Sequence, residues 1–340
     1  MGKLSTIDPA ENLAAGKTSR AGSGSPPFSD MVWIPGGTFV MGSNRHYPEE
    51  AAAHRATVGG FWMDRYLVTN ANFARFAEAT GYVTVAERVP DAALYPGALP
   101  HMLVAGSVVF RQPSRGVDLR NHYYWWAYVP GAHWRHPEGP ESSLAAREDH
   151  PVVHVAYEDV AAYAQWAGKE VPTEAEWEFA ARGGLEGAEY TWGNEFAPGG
   201  KMMANTWQGE FPLQNLLIDG FDRTSPVGWF PANGYGLYDM AGNVWEWTSD
   251  WFQKYQAVKA CCSGRAKGDA REKSYDPQMP EIRIPRKVLK GGSYLCAANY
   301  CWRYRPAARI PQQIDTGTCH QGFRCIVHEK NAGREAAERV

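Results

Sequence analysis

The sequence has no long apolar run, no strong excess of charge of either sign, and no cysteine before position 261. Each shortage excludes something. Without about 20 consecutive apolar residues, no helix is expected to span a bilayer, so no membrane role is expected. A formal net charge of −3 over 340 residues argues against a general nucleic-acid binder, which needs a basic face. The six cysteines, Cys261, Cys262, Cys296, Cys301, Cys319 and Cys325, all lie in the last third of the chain. A secreted disulfide framework would spread its cysteines to staple the whole fold. Residues 1–8 carry no apolar signal-peptide core. A reducing, cytoplasmic setting is therefore expected. No GxSxG, P-loop or dinucleotide-binding glycine pattern stands in a supporting context, and no internal repeat is visible.

Aromatics and turn formers are abundant: 14 Trp, 17 Tyr, 35 Gly and 23 Pro. With 44% hydrophobic and 21% charged residues, this composition implies a compact fold with a sizeable core, many turns and short regular elements. Residues 1–29, rich in Ala, Gly, Ser and Pro, read as a disordered leader, residues 30–328 as one folded domain, and residues 329–340 as a charged tail. A Pro35-Gly36-Gly37 turn between two apolar segments predicts a hairpin over residues 31–42, and Ala56 to Val58 and Phe61 to Met63 read as further strands. A first helix is expected from a Thr69 or Asn70 cap to Gly81, with Phe73, Phe76 and Ala77 on one face. His150 to Val155 reads as a buried strand, and Tyr157 to Ala167 as a second helix. Thr173 and Glu176 form a capping box that starts a third helix, with Gly183 at its end. Residues 84–150 show no clear period and hold Tyr123-Tyr124-Trp125-Trp126. They are expected to form either a wall of a binding groove or a covering loop with core aromatics. Strand and helix do not alternate, so the fold is expected to be α+β rather than doubly wound.

Three constellations bear on chemistry. Residues 290–309 place Cys296 and Cys301 after Gly291-Gly292-Ser293 and before Arg303, Arg305 and Arg309. Nearby positive charge favours a thiolate. The pair allows a short-loop disulfide, part of a zinc site completed by Cys319, His320 or Cys325, or a two-coordinate soft site; the last fits best, because two thiolates suffice for near-linear Cu(I). Residues 205–221 and 239–246 are rich in side-chain oxygen, as hard cations require, although solvated loops share that composition. The pairs His133/His136 and His150/His154 read as packed or turn histidines.

The chain resembles the formylglycine-generating enzymes, also called sulfatase-modifying factors. The likeness runs from about residue 30 to residue 327, and rests on residues 34–42, 134–139, 150–155, 172–184, 205–212, 233–238, 242–247, 291–309 and 322–325. The first of these and the Gly242-Asn243-Val244-Trp245-Glu246-Trp247 segment are shared with a wider superfamily. The Cys296/Cys301 pair after Gly291-Gly292-Ser293 is the mark of the enzyme itself. The resemblance implies a single α+β domain with little regular secondary structure, akin to C-type lectins. It implies oxidation by O2 of the cysteine in a Cys-x-Pro-x-Arg motif to Cα-formylglycine, with an unfolded or nascent sulfatase polypeptide as partner and a monomeric enzyme.

Carried onto this sequence, Cys296 and Cys301 would bind Cu(I), the substrate thiolate would be its third ligand, and Ser293 and Trp245 would shape the oxygen pocket. Ca2+ would be held by Asn205 and Asp219 side chains with Thr206 and Phe221 carbonyls. A second Ca2+ would use Asp239 and Glu246 with Gly242 and Val244 carbonyls. We assign Trp125, Arg309 and His320 to substrate binding: the first because a proline stacks on aromatic faces, the second because it lies in the matching segment, the third because it holds an active-site position that is Asn in secretory members. Those members carry disulfides at positions matching Ala164, Ala181, Pro306 and Cys325, so neither bridge can form here. A lectin-like scaffold would keep the fold without the paired cysteines. An iron-dependent sulfoxide synthase would need an additional N-terminal helical domain with three histidines. Cys261, Cys262 and Cys319 have no assigned role.

Overall fold

The computed structural model describes residues 25–255 and 269–329. Cys261, Cys262, most of the expected leader and nearly all of the charged tail lie outside the described residues. Among the described residues, eleven short strands and three short helices are joined by long turns. The strands are β1 (Met31–Ile34), β2 (Gly37–Met41), β3 (His54–Val58), β4 (Phe61–Asp64), β5 (Gly106–Phe110), β6 (Trp126–Pro130), β7 (Trp245–Trp251), β8 (Arg286–Lys290), β9 (Arg309–Gln313), β10 (Gln321–Gly322) and β11 (Ile326–His328). The helices are α1 (Asn70–Thr80), α2 (Tyr157–Trp166) and α3 (Glu174–Arg182). Among the described residues no helix is long and apolar enough to cross a membrane.

Four small sheets carry the molecule: β1-β4-β11, β10-β7-β8-β9, β2-β3 and β5-β6. All pairings are antiparallel except β10 with β7. The expected hairpin over residues 31–42 does not form. β1 pairs with β4 while β2 pairs with β3. The reason is the turn: Gly36 has φ 67°, and a Cβ there would lie 2.5 Å from the Gly59 backbone. The chain thus crosses from one sheet to another over the Gly59-Gly60 turn.

The helices follow their local signals. Thr69 caps α1 by accepting from the Asn72 amide, and Gly81 ends it in the left-handed region. Thr173 and Glu176 close the capping box of α3, and Gly183 ends it. α3 is buried on every side, including Glu174, Glu178 and Arg182. Buried carboxylates require partners. They find them in Lys290 at the end of β8, 2.9 Å from Glu178, and in Arg309 at the start of β9, which grips Glu174 with two bonds of 2.7 and 2.9 Å.

Residues 151–155 are buried, but the expected strand over 150–155 does not form beyond one bridge, Thr69 to Pro151. His154 takes φ 61°, which breaks the extended path. Its ring is fully buried between Ser107 Oγ (2.7 Å) and the Pro137 carbonyl (2.8 Å), and burial pulls its pKa down to about 4. Residues 84–150, which show no period, contain the β5-β6 hairpin and several single helical turns.

Candidate active site

The loop after β8 holds the two thiols. Gly291 and Gly292 have φ 91° and 75°, and a Cβ on Gly292 would lie 2.8 Å from the Arg303 carbonyl. Only glycine lets the loop close this tightly. The Cys296 amide donates to the Ser293 carbonyl and the Cys301 amide to the Ala297 carbonyl, so each cysteine ends a turn. These turns bring Cys296 Sγ within 3.0 Å of Cys301 Sγ, both as free thiols.

The two sulfurs are not equivalent. Cys296 is 1% exposed, and burial pushes its pKa well up, as does its contact with Cys301. The Cys296 thiol donates to Cys301 and pulls that group down to about 7, against burial and with help from Arg303. Arg303 Nη1 lies 3.8 Å from Cys301 Sγ. Its guanidinium is fixed by Glu49 at 2.7 Å and stands 3.6 Å over the Tyr47 ring. Cys301 is thus the more readily ionised of the two, and it lies beside a held cation. Glu49 and Tyr47 are about 250 residues away in sequence, and no local pattern marks them.

Two soft sulfurs with no third His, Cys, Asp or Glu gathered beside them among the described residues match a metal that takes its next ligand from outside. The donor types fit Cu(I). Cys296 and Cys301 would hold such an ion through their two sulfurs.

Ser293 comes to this place. The Ser293 amide lies 3.4 Å from Cys296 Sγ, and Ser293 is fully buried. Trp245 and Cys296 share one core cluster with Tyr304, and Cys301 packs against it. The Trp245 amide donates to the His320 carbonyl at 2.8 Å. The His320 ring bonds Thr318 Oγ1 and packs on Trp126, and burial pulls its pKa down to about 3.

Trp125 and Arg309 are not where a substrate can reach them. Trp125 is 1% exposed and stands edge-on against Phe211 and Tyr300 inside a core cluster. The exposed aromatic above it is Tyr300, 37% exposed, which stacks on Phe211 at 4.7 Å. An alternating run of aromatics gives no sign of which ring faces solvent. Arg309 is spent on Glu174, on the Glu49 and Gln253 carbonyls, and on the Tyr255 ring. Both residues are structural.

The first oxygen-rich set converges. Asn205 and Asp219 are buried, and Asn205 Oδ1 has no hydrogen-bond partner among the described residues. An orphaned buried acceptor fits a cation ligand. Asp219 accepts from the Thr206 and Phe221 amides at 3.0 Å each and from Gln208 Nε2 at 2.6 Å, and burial raises its pKa. The second set is less open. Both oxygens of Glu246 are held by Arg324, at 2.8 and 2.9 Å, so a cation there must share the carboxylate with a guanidinium. Asp239 accepts from the Gly228 amide, and burial raises its pKa to about 6.

Cys319 accepts from the Phe110 amide and the Tyr294 hydroxyl in a third place. Cys325 is a free buried thiol in the main core cluster, which also contains Ala164.

Comparison with known proteins adds four findings. A family model described as sulfatase-modifying factor enzyme 1-like domain matches residues 18–329. A formylglycine-generating enzyme of Mycobacterium tuberculosis is 53% identical over 303 residues, 88% of this chain and 98% of that protein. An inactive C-alpha-formylglycine-generating enzyme 2 of Mus musculus is 37% identical, over 89% of this chain and 86% of its own length. Among solved structures, PvdO of Pseudomonas aeruginosa superposes with a TM-score of 0.59 at 23% identity, covering 92% of this chain and all of that one, and so shares the fold.

Proposed function

The chain belongs to the sulfatase-modifying factor family of formylglycine-generating enzymes, and we propose that it oxidises a cysteine in a sulfatase polypeptide to Cα-formylglycine. A relative of 37% identity is named inactive, so family membership alone does not decide activity. The observation that carries the proposal is the pair of free thiols 3.0 Å apart, one buried and one beside Arg303.

The reaction converts the thiol-bearing methylene of the substrate to an aldehyde. Balance requires O2, two electrons and two protons, and releases hydrogen sulfide and water. The substrate cysteine lies in a Cys-x-Pro-x-Arg motif of an unfolded or nascent chain. Copper bound by Cys296 and Cys301 would supply the one-electron chemistry toward O2 that closed-shell side chains lack. The protein's own groups have separate tasks. Arg303 holds negative charge at Cys301, and its own place is fixed by Glu49 and Tyr47. The Ser293 amide orients the Cys296 sulfur. Trp245 and Tyr304 belong to the apolar cluster that contains Cys296. Calcium at Asn205 and Asp219, with the Thr206 and Phe221 carbonyls, would brace the segment behind Cys296. The non-cysteine residues at Ala164, Ala181 and Pro306 support a cytoplasmic enzyme.

In a second scheme no metal takes part: O2 takes two electrons from the Cys301 and substrate thiols, which join as a mixed disulfide while O2 leaves as hydrogen peroxide; the lowered pKa of Cys301 favours this scheme. One experiment separates the two. A Cys-x-Pro-x-Arg peptide is incubated with enzyme, O2 and reductant, with and without a strong Cu(I) chelator, and read by mass spectrometry. The copper scheme expects aldehyde that disappears with chelator and returns with added copper. Full turnover by metal-free protein would leave the thiols as direct redox groups. No aldehyde under any condition would overturn the function.

A further inference from the structure

A cavity of about 300 Å³ opens between the loop of residues 42–53, the C-terminal end of α3 and Arg305. Its walls include Arg45, His46, Arg182, Glu189 and Arg305. We propose that this cavity is a binding site for a small oxyanion. The inference goes beyond the oxidation of a cysteine and uses none of the residues assigned to that chemistry.

Three arginines face one carboxylate across the cavity. Glu189 is already engaged, 3.1 Å from Arg45 Nη2 and 2.6 Å from His46 Nε2. His46 is held toward the neutral form by burial and by the charge of Arg305. Arg305 is neutralised from behind by Glu50, at 2.6 and 2.9 Å. Arg182 is the unsatisfied member. Its side chain is 8% exposed, and a guanidinium carries five N–H donors. Arg182 gives Nη2 to Glu178 at 2.6 Å, while Nε is buried with no hydrogen-bond partner among the described residues. Glu178 is itself shared with the fully buried Lys290 at 2.9 Å. The wall is thus short of negative charge and of acceptors. A carboxylate or sulfate supplies both, and a planar guanidinium fork suits either.

The cavity adjoins the thiol loop. The His46 ring meets the Trp302 ring edge-on at 5.0 Å, the Tyr47 hydroxyl accepts from the Trp302 amide, and Trp302 follows Cys301 directly. The oxyanion therefore has two sources: an acidic side chain of the bound polypeptide, or a free inorganic anion.

The test is calorimetric titration of the purified protein with sodium sulfate, ionic strength being held constant with chloride. Saturable binding is expected. Arg45→Gln, a change at a side chain 66% exposed, should weaken it about three- to five-fold, and Glu189→Gln should tighten it. Arg182→Lys keeps a charge for Glu178 but loses the fork, and should weaken it further; if that variant does not fold, the other two still decide. No saturable heat, or one affinity in all variants, would overturn the site. Its source is read with two peptides that differ by Asp or Asn beyond the motif arginine. Sulfate raising KM for the Asp peptide alone assigns the site to a substrate carboxylate. Sulfate that binds without moving either KM assigns it to a free oxyanion. The titration does not depend on turnover, so it stands or falls apart from the oxidase reading.

Discussion

The Trp207 amide donates to the Cys296 carbonyl at 3.0 Å. Asn205, two residues earlier, accepts from the Asn243 amide at 2.8 Å, and Asn243 in turn accepts from the Tyr294 amide at 2.9 Å. A Cβ on Gly242 would lie 2.2 Å from the Asn205 carbonyl, so these segments are in backbone contact. The segment proposed to hold calcium and the loop that carries the thiols form one hydrogen-bonded unit.

Calcium removal should therefore loosen the thiol loop as well as the fold. A ligand present at about 100 times its Kd stabilises by about 2.7 kcal/mol. For a domain of this size that corresponds to a Tm drop of about 5 °C on adding chelator. Asp219→Ala should show the lower Tm without chelator and respond no further to it. Scanning fluorimetry gives the answer, and identical curves for all four samples would remove calcium from the account.

In metal-free protein, alkylation should strike Cys301 and spare Cys296. The rate at Cys301 should rise with pH through a midpoint near 7, because thiolate accumulates above the depressed pKa. Cys296→Ala removes the main donor and should move the midpoint upward; Arg303→Gln should move it upward by less. Peptide mapping after iodoacetamide at a series of pH values reads both. Equal labelling of the two sulfurs would contradict the assigned asymmetry.

Arg309→Ala should unfold or strongly destabilise the protein by about 3–5 kcal/mol, since it leaves Glu174 buried and unpaired. Arg309→Lys should not restore the two-pronged contact. Urea denaturation measures the loss. A folded, stable variant with only a raised KM would return Arg309 to the substrate.

Trp125→Ala should cost about 3–5 kcal/mol by emptying a core site, with KM of the folded fraction unchanged. Trp125→Phe should recover much of the stability. The deciding comparison is KM against the urea midpoint for the two variants.

His154 gives a pH signature. Its folded pKa, about 4, is below the usual value near 6.5, so the unfolded chain binds the extra proton between those limits. Stability from this group is complete above pH 6.5 and declines as pH falls toward 4, at up to about 1.4 kcal/mol per unit. Asp159 and Asp239, each raised by burial to about 6, act with the opposite sign. The measured quantity is therefore the difference between wild type and His154→Gln in urea midpoints from pH 7 to 5, which should shrink as pH falls. A constant difference would mean that the ring is not neutral in the folded state.

What depends on neighbouring residues alone was legible in the chain itself. The Thr173/Glu176 capping box, the Thr69 cap and the glycine stops at Gly81 and Gly183 act over one helical turn, and each element stands where its local chemistry places it. The thiol pair was legible too, because a five-residue spacing after two glycines can fold back on itself without help from elsewhere. Tertiary contact decided the rest. The Pro35-Gly36-Gly37 turn carries no information about which strand lies across from it, and backbone crowding at Gly59 sends its two sides into different sheets. Trp125 and Tyr300 are both aromatic, yet only packing on Phe211 sets one inside and the other at the surface. Arg303 and Arg309 sit six residues apart in the same basic run. One faces a sulfur and the other a buried glutamate, because Glu49 and Glu174 arrive from distant parts of the chain. Charge type is a property of the residue, whereas its partner is a property of the fold.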